Sequence, residues 1–409
     1  MIAGTATVND LKKRAGQLGA CQPEPAEPPG GREWVAQSLA QGAAGTALLH
    51  IELARSGAGS WRRAHAWVCA AASGEVSAGS TSGLFQGLPA VAFMMDAAAS
   101  GAPRYATGLA DAGRHVTNLA ASRAEAAMGR IRCGRPPAFH EYDVFFGLTG
   151  LGALLLRRAP AGSAMERVLR YLVALTRPLA IDGREVPGWW AAHDPHRRQS
   201  PGYPGGHLNF GAAHGISGPL ALLGHALRRG VAVEGQREAV ASILAFLDTW
   251  RQESHTGSWW PEWVTMADYA AGRPSQLRPN RPSWCYGTPG IARAGQVAAI
   301  ALGDATAQRK YEQAIAGCLR DPVQVAKGTD AGLCHGAAGL YMTAMRAAGD
   351  AATPDISACL PRLADLLLSR ADRADSPGFL DGAAGTALAL HAAAEGLPLS
   401  GWDACLLIS

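Results

Sequence analysis

The sequence predicts an all-α fold, a double α/α barrel or toroid of seven helix pairs with Gly-x-x-Gly turns at one end. Three observations lead there. A glycine-spaced unit recurs seven times along the 409 residues. Helical apolar periodicity fills the intervals, as in Val240, Ile243, Leu244, Leu247 and Trp250, or Leu360, Leu363, Leu366 and Leu367. Strand signals are weak, because Ala dominates and alternating β-branched runs are scarce.

Residues 1–31 end in a Pro-, Glu- and Gly-rich stretch and read as a partly ordered N-terminal lead-in. The toroid domain is expected over 32–409. Its first unit carries Gly42 and Gly45, and the second runs from Gly83 through Gly87. The later units carry Gly147 and Gly150, Gly215 and Gly218, Gly287 and Gly290, Gly336 and Gly339, and Gly382 and Gly385. Each reads as an amphipathic helix, a loop, the glycine turn and a second, more apolar helix. Helices apolar nearly all round are buried, so pairs of inner and outer helices can close into a ring. An open solenoid is the alternative. Inner helices that all begin at one end would converge their free N–H groups and positive dipole ends there. The spacing is uneven. A variable elaboration is expected at about 101–142, suited to contact with a partner. Long loops, 187–210 and 254–283, hold Trp residues that either line a peptide cleft or plug the rim of the ring.

Composition excludes several classes. No apolar run reaches membrane-spanning length, so no stable membrane insertion is expected. Residues 1–20 hold Lys12, Lys13 and Arg14 with no apolar segment after them, which is no secretory signal; a cytoplasmic protein is expected. The formal charge is only +4, and no basic block interleaved with aromatics suggests nucleic acid. Eight Cys in a chain this long are not a disulfide framework.

Two stretches carry the chemistry, 281–287 (Arg-Pro-Ser-Trp-Cys-Tyr-Gly) and 333–336 (Leu-Cys-His-Gly). Cys285, Cys334 and His335 are soft sulfur and nitrogen ligands, each just ahead of a Gly-x-x-Gly turn. Three such ligands with a fourth position open make a catalytic zinc site. A small buried apolar cysteine is the ordinary alternative. The spacing is not that of a zinc finger. Cys21, Cys69, Cys133, Cys318, Cys359 and Cys405 read as structural or incidental.

Together with 211–215 (Gly-Ala-Ala-His-Gly) and 142–144 (Tyr-Asp-Val), these motifs resemble the lanthionine synthetase C family, the lantibiotic cyclases. The resemblance runs from about Gln41 to the C-terminus through all seven glycine units. It implies a double ring of α-helices and one zinc held by Cys285, Cys334 and His335. It also implies a reaction that joins a peptide cysteine thiol to dehydroalanine or dehydrobutyrine as a thioether. His214 and Tyr286 match positions for acid, base or enolate-stabilising groups. Asp143 and Arg281 also match active-site positions. The implied partners are a dehydrated precursor peptide, with a leader and a Cys-containing core, and a dehydratase.

The residues fit that chemistry. A free thiol is mostly protonated at neutral pH, and zinc deprotonates it. Attack on the β-carbon leaves an enolate, which needs hydrogen-bond donors and a proton. Histidine as a residue type suits proton transfer near neutral pH, so His214 is the candidate for that task; otherwise it is a buried histidine in a tight turn. Asp143 either orients His214 or caps a helix. Tyr286 either donates to the enolate or packs. Arg281 either anchors a substrate carbonyl or makes a surface ion pair. Rival functions are a glutathione or other thiol transferase acting on dehydrated residues, and a non-catalytic scaffold for a dehydratase. Three intact ligands argue against the scaffold.

Overall fold

The computed structural model describes residues 6–22, 33–99 and 103–409. The Pro-rich part of the expected lead-in, and the first residues of the expected elaboration, lie outside the described residues. In chain order the helices are α1 (Val8–Ala20), α2 (Glu33–Ala36), α3 (Ala43–Arg55), α4 (Trp61–Ala72), α5 (Leu88–Ala99) and α6 (Ala106–Arg132). Then come α7 (Phe139–Tyr142), α8 (Leu148–Arg158), α9 (Ser163–Ala174), α10 (Ser217–Arg228), α11 (Gln236–Thr249) and α12 (Met266–Ala271). The last are α13 (Thr288–Leu302), α14 (Ala305–Arg320), α15 (Pro322–Ala326), α16 (Ala337–Asp350), α17 (Leu360–Arg370) and α18 (Ala383–Glu395).

Each glycine unit opens one of α3, α5, α8, α10, α13, α16 and α18, as the sequence predicts. These helices are buried almost all round. Every residue from Ala44 to Ala54 in α3, and from Ala383 to Ala392 in α18, is buried. The helices between them are amphipathic: α9 buries Met165, Val168, Leu169 and Leu172 and leaves its other face wet.

The glycines are required by closeness. The first glycine is the N-cap in five units, with φ between −83° at Gly287 and −121° at Gly382; the backbone angle admits any residue, but a Cβ would lie 2.0 Å from the Val35 oxygen at Gly42 and 2.2 Å from the Ser283 nitrogen at Gly287. The second sits in the first turn, against the carbonyl six residues back. A Cβ there would lie 1.9 Å from the Trp284 oxygen at Gly290, 1.9 Å from Leu333 at Gly339 and 1.8 Å from Phe379 at Gly385. No side chain fits.

Contacts divide the chain into two units, 1–116 with 326–409, and 117–325. In the first, α3 packs on α4, α5 and α18, and α18 also packs on α1, α16 and α17. The helix α1 is therefore the outer partner of the last inner helix. Leu11, Ala15 and Leu18 are its buried stripe, a capping box of Thr7 and Asp10 starts it, and Lys12 pairs with Glu395 at 2.7 Å. In the second unit α10 packs on α8, α11 and α13, and α13 on α14.

Loop-to-loop backbone bonds set the register of neighbouring turns. In the second unit Val144 N donates to Ala213 O at 3.0 Å, and Ala213 N to Cys285 O at 3.3 Å. In the first, Cys334 N donates to Leu380 O and Leu380 N to Ala40 O, both at 3.0 Å. The expected elaboration is largely one long helix, α6, with Leu109, Ala112, Val116, Ala120, Ala124 and Ala127 as its buried stripe. Six short strands lie in and beside the long Trp-bearing loops, in antiparallel pairs: β1 (Leu179–Ile181) with β2 (Arg184–Val186), β3 (His207–Asn209) with β6 (Trp263–Thr265), and β4 (Gln252–Ser254) with β5 (Gly257–Trp259). Among the described residues no helix is long and apolar enough to cross a membrane.

Candidate functional site

The turn ahead of α8 is built on Asp143. Its side chain is fully buried, and Oδ1 accepts the backbone N–H groups of Phe146 and Gly147, each at 2.7 Å. Gly147 is an N-cap without a side chain, so this carboxylate takes the capping role from four residues back. The second oxygen meets His214 Nδ1 at 2.6 Å. One buried carboxylate thus closes its own turn and holds the imidazole that heads the next.

His214 keeps about a fifth of its side chain exposed, at 22%. The rings of Phe145, Phe139 and Tyr286 stand around it, with centroids at 4.7, 5.2 and 6.3 Å. With Nδ1 donating to Asp143, the neutral ring presents its lone pair at Nε2. That is the arrangement of a proton acceptor with its tautomer fixed.

Asp143 is itself supported. It follows α7, whose first N–H, from Phe139, is accepted by His193 Nε2 at 3.3 Å. Tyr142 donates its hydroxyl to Trp189 O at 3.1 Å, and burial drives its pKa upward. The loop 187–210 therefore anchors the segment that carries Asp143.

The turn ahead of α13 repeats the design with a hydroxyl. Ser283 Oγ accepts from Gly287 N at 3.0 Å and Tyr286 N at 3.3 Å, and lies 3.6 Å from the Cys285 thiol. Cys285 is 4% exposed. Asn209 Nδ2 donates to the Tyr286 hydroxyl at 3.4 Å, and Gly211 leaves room for the Tyr286 ring. Arg281 lies near the carboxylate of Glu262, whose pKa is raised chiefly by burial and eased back by Asn280 and by the Arg281 charge. Sequence reasoning missed Glu262, Asn209 and Ser283. An acid between Pro261 and Trp263 in a Trp-rich loop was the available signal for the first.

In the turn ahead of α16, His335 has a carboxylate near each ring nitrogen. Asp330 Oδ2 is 3.7 Å from Nε2 and Asp381 Oδ1 is 3.8 Å from Nδ1. Either could fix the tautomer once the other nitrogen binds a metal.

The donor atoms of Cys285, Cys334 and His335 lie within 4.8 Å of one another, so these three could hold a metal ion. Two sulfurs and one imidazole suit zinc. His214, Tyr286 and His335 all occupy the position just before the first glycine of their turns, and Cys285 and Cys334 the position before that. Among the described residues no cysteine is in a disulfide.

Comparison with known proteins gives the chain a family and a fold. The family model described as lanthionine synthetase C-like protein matches residues 33–407. The chain is 25% identical over 206 residues to nisin biosynthesis protein NisC of Lactococcus lactis subsp. lactis, covering 49% of this chain. That alignment spans about half of the relative, 47% of its length. The solved structure of a nisin cyclase superimposes with a TM-score of 0.78 at 18% identity, over 98% of this chain and 96% of that one. At that identity the likeness shows the fold, the all-α α/α toroid that the sequence predicts.

Proposed function

Because this chain belongs to the lanthionine synthetase C-like family, we propose that it is a zinc-dependent cyclase that adds peptide cysteine thiols to dehydroalanine or dehydrobutyrine. The observation that carries the reading is the group of three soft donors, Cys285, Cys334 and His335, close enough to share one ion. Zinc held there would keep an incoming substrate thiol as its thiolate at neutral pH.

The rest of the chemistry falls to side chains of the chain itself. His214 presents Nε2 to the substrate and moves a proton there, with Asp143 fixing its orientation and stabilising the charged ring. Protonation at the α-carbon completes the addition. Tyr286 and Arg281, on the turn ahead of α13, supply donors for the enolate oxygen. The aromatic rings around His214 exclude water, which strengthens these interactions. A glutathione transferase would use the same donors but accept a free small thiol.

The test is metal content joined to product. Purified protein should carry about one zinc per chain. Cys285→Ala should lose both zinc and thioether formation. His214→Ala should keep zinc and lose rate. An active protein without zinc, or loss of the metal from His214→Ala, would overturn the assignment. Addition of glutathione in preference to ring closure would favour the transferase.

A further inference from the structure

A second concave site lies in the unit 117–325, sharing no lining residue with the Asp143–His214 pair. It is a cavity of about 300 Å³ between the C-terminal end of α6 and the start of β1. Arg130, Arg132 and Arg177 line it, with Leu175 and Leu179 as apolar floor and Ala180 at the strand. Arg130 is committed: it binds the Glu141 carboxylate through Nε and Nη2 at 2.8–3.0 Å. Arg132 and Arg177 are exposed, and neither guanidinium has a hydrogen-bond or ion-pair partner among the described residues. Two uncompensated cations over an apolar floor call for an anionic, partly apolar ligand.

The strand narrows the choice. Asp182 and Gly183 have φ of 50° and 77°, a two-residue hairpin turn of the primed kind. Its closing pair is Ile181 with Arg184. In that hairpin the closing pair is hydrogen-bonded, so the next pair, Ala180 with Glu185, turns its backbone N–H and C=O outward. The outward N–H and C=O of Ala180 are a free strand edge at the cavity wall.

We propose that this cavity docks an extended, acidic segment of the peptide substrate, which adds to the edge of β1 and sets carboxylates against Arg132 and Arg177. The occupant follows from both features at once: an open edge takes extended backbone, and the two arginines take carboxylates. The proposal rests on the peptide-substrate reading above. It gives the region that the sequence marks as an elaboration a role in holding the part of the substrate that is not modified.

The test uses the full chain and a short fluorescein-labelled peptide alternating Glu with Ile, beside its counterpart with Gln for Glu. Fluorescence anisotropy should show the Glu peptide binding about tenfold more tightly than the Gln peptide, with the difference shrinking at high salt. Arg132→Glu combined with Arg177→Glu should weaken the Glu peptide about tenfold or more. Ala180→Pro should weaken both peptides, because it deletes the edge N–H; the hairpin does not use that group and should keep its melting behaviour. Equal binding of the two peptides, no binding to the unsubstituted protein, or full affinity in both variants would each overturn the proposal. Cyclisation of a short, uncharged dehydrated peptide should be unchanged in all variants. If no dehydrated peptide is cyclised yet the Glu peptide still maps to Arg132, Arg177 and Ala180, the cyclase reading fails and the docking site stands. If cyclisation proceeds but the mapping fails, the docking site alone is refuted.

Discussion

Asp143→Asn isolates what the buried carboxylate does for His214. The substitution keeps an oxygen for the N–H groups of Phe146 and Gly147, so the turn should persist. Three charge-assisted bonds become neutral ones, a loss of about 1 kcal/mol each and about 3 kcal/mol at most. The larger effect is chemical. An amide N–H would face Nδ1 in place of an acceptor, so the ring proton moves to Nε2 and the lone pair leaves the substrate side. General acid–base help is worth about 10²–10⁴-fold, so ring formation should slow by about 10²-fold or more. Zinc content should stay at that of the parent. The assay is single-turnover cyclisation of a dehydrated precursor peptide, read by mass spectrometry after blocking free thiols, with metal analysis and a thermal melt on the same sample. Asp143→Ala is the comparison: it orphans the buried Gly147 N–H at about 1–3 kcal/mol and the half-buried Phe146 N–H at less, and should unfold earlier. A parental rate in a folded Asp143→Asn protein would refute the claim that the carboxylate sets the tautomer of His214.

Two further outcomes follow from the geometry. Gly290→Ala places a methyl group 1.9 Å from the Trp284 carbonyl, so the backbone leading into Cys285 must shift. A loss of about 2 kcal/mol or more and weaker zinc retention should result, by chemical denaturation and metal analysis. Gly349→Ala in α16 meets nothing within 4 Å and should be neutral or stabilising by up to about 1 kcal/mol. Acid stability provides the last outcome. Burial lowers the pKa of fully buried His207 to about 4, and that of His50 also to about 4. Each stays neutral in the fold and charges on unfolding, so the unfolded chain binds more protons between about pH 4 and 6.5. Stability is therefore full above about 6.5 and falls as pH drops towards 4, by up to about 3 kcal/mol for His207. His207→Asn keeps a donor for the His193 carbonyl without titrating; the urea midpoint should then lose less on acidification than in the parent. An unchanged pH slope would refute the assignment.

The inner helices were legible because Gly-x-x-Gly is forced by contact, and a contact between a glycine and a carbonyl six residues back repeats at fixed spacing in the chain. Cys285, Cys334, His335 and His214 were legible because each stands one or two positions before the first glycine of such a turn. Asp143 was marked by its neighbours Tyr142 and Val144, but its double use of two oxygens needs coordinates. Ser283 and Asn209 act through an N–H or a hydroxyl whose partner is set by loop shape, and Asn209 is 77 positions from Tyr286. The three-residue strands are too short to show a period. The part played by α1 was hidden because its outer-helix stripe, Leu11, Ala15 and Leu18, is separated by almost the whole chain from the helix it covers.

The pre-glycine position has a consequence for how such a protein can change. A side chain placed there leaves a backbone pinned by a crowded glycine and by a hydrogen bond to the adjoining turn, so its direction is set locally, and the loop 187–210 adds support only at Trp189, His193 and Asn209. Insertions elsewhere in the Trp-bearing loops can reshape the surface around the pre-glycine side chains while the turns hold still. Selection can thus alter the surroundings and the turn residues on separate stretches of sequence, one drifting in length and the other changed one residue at a time.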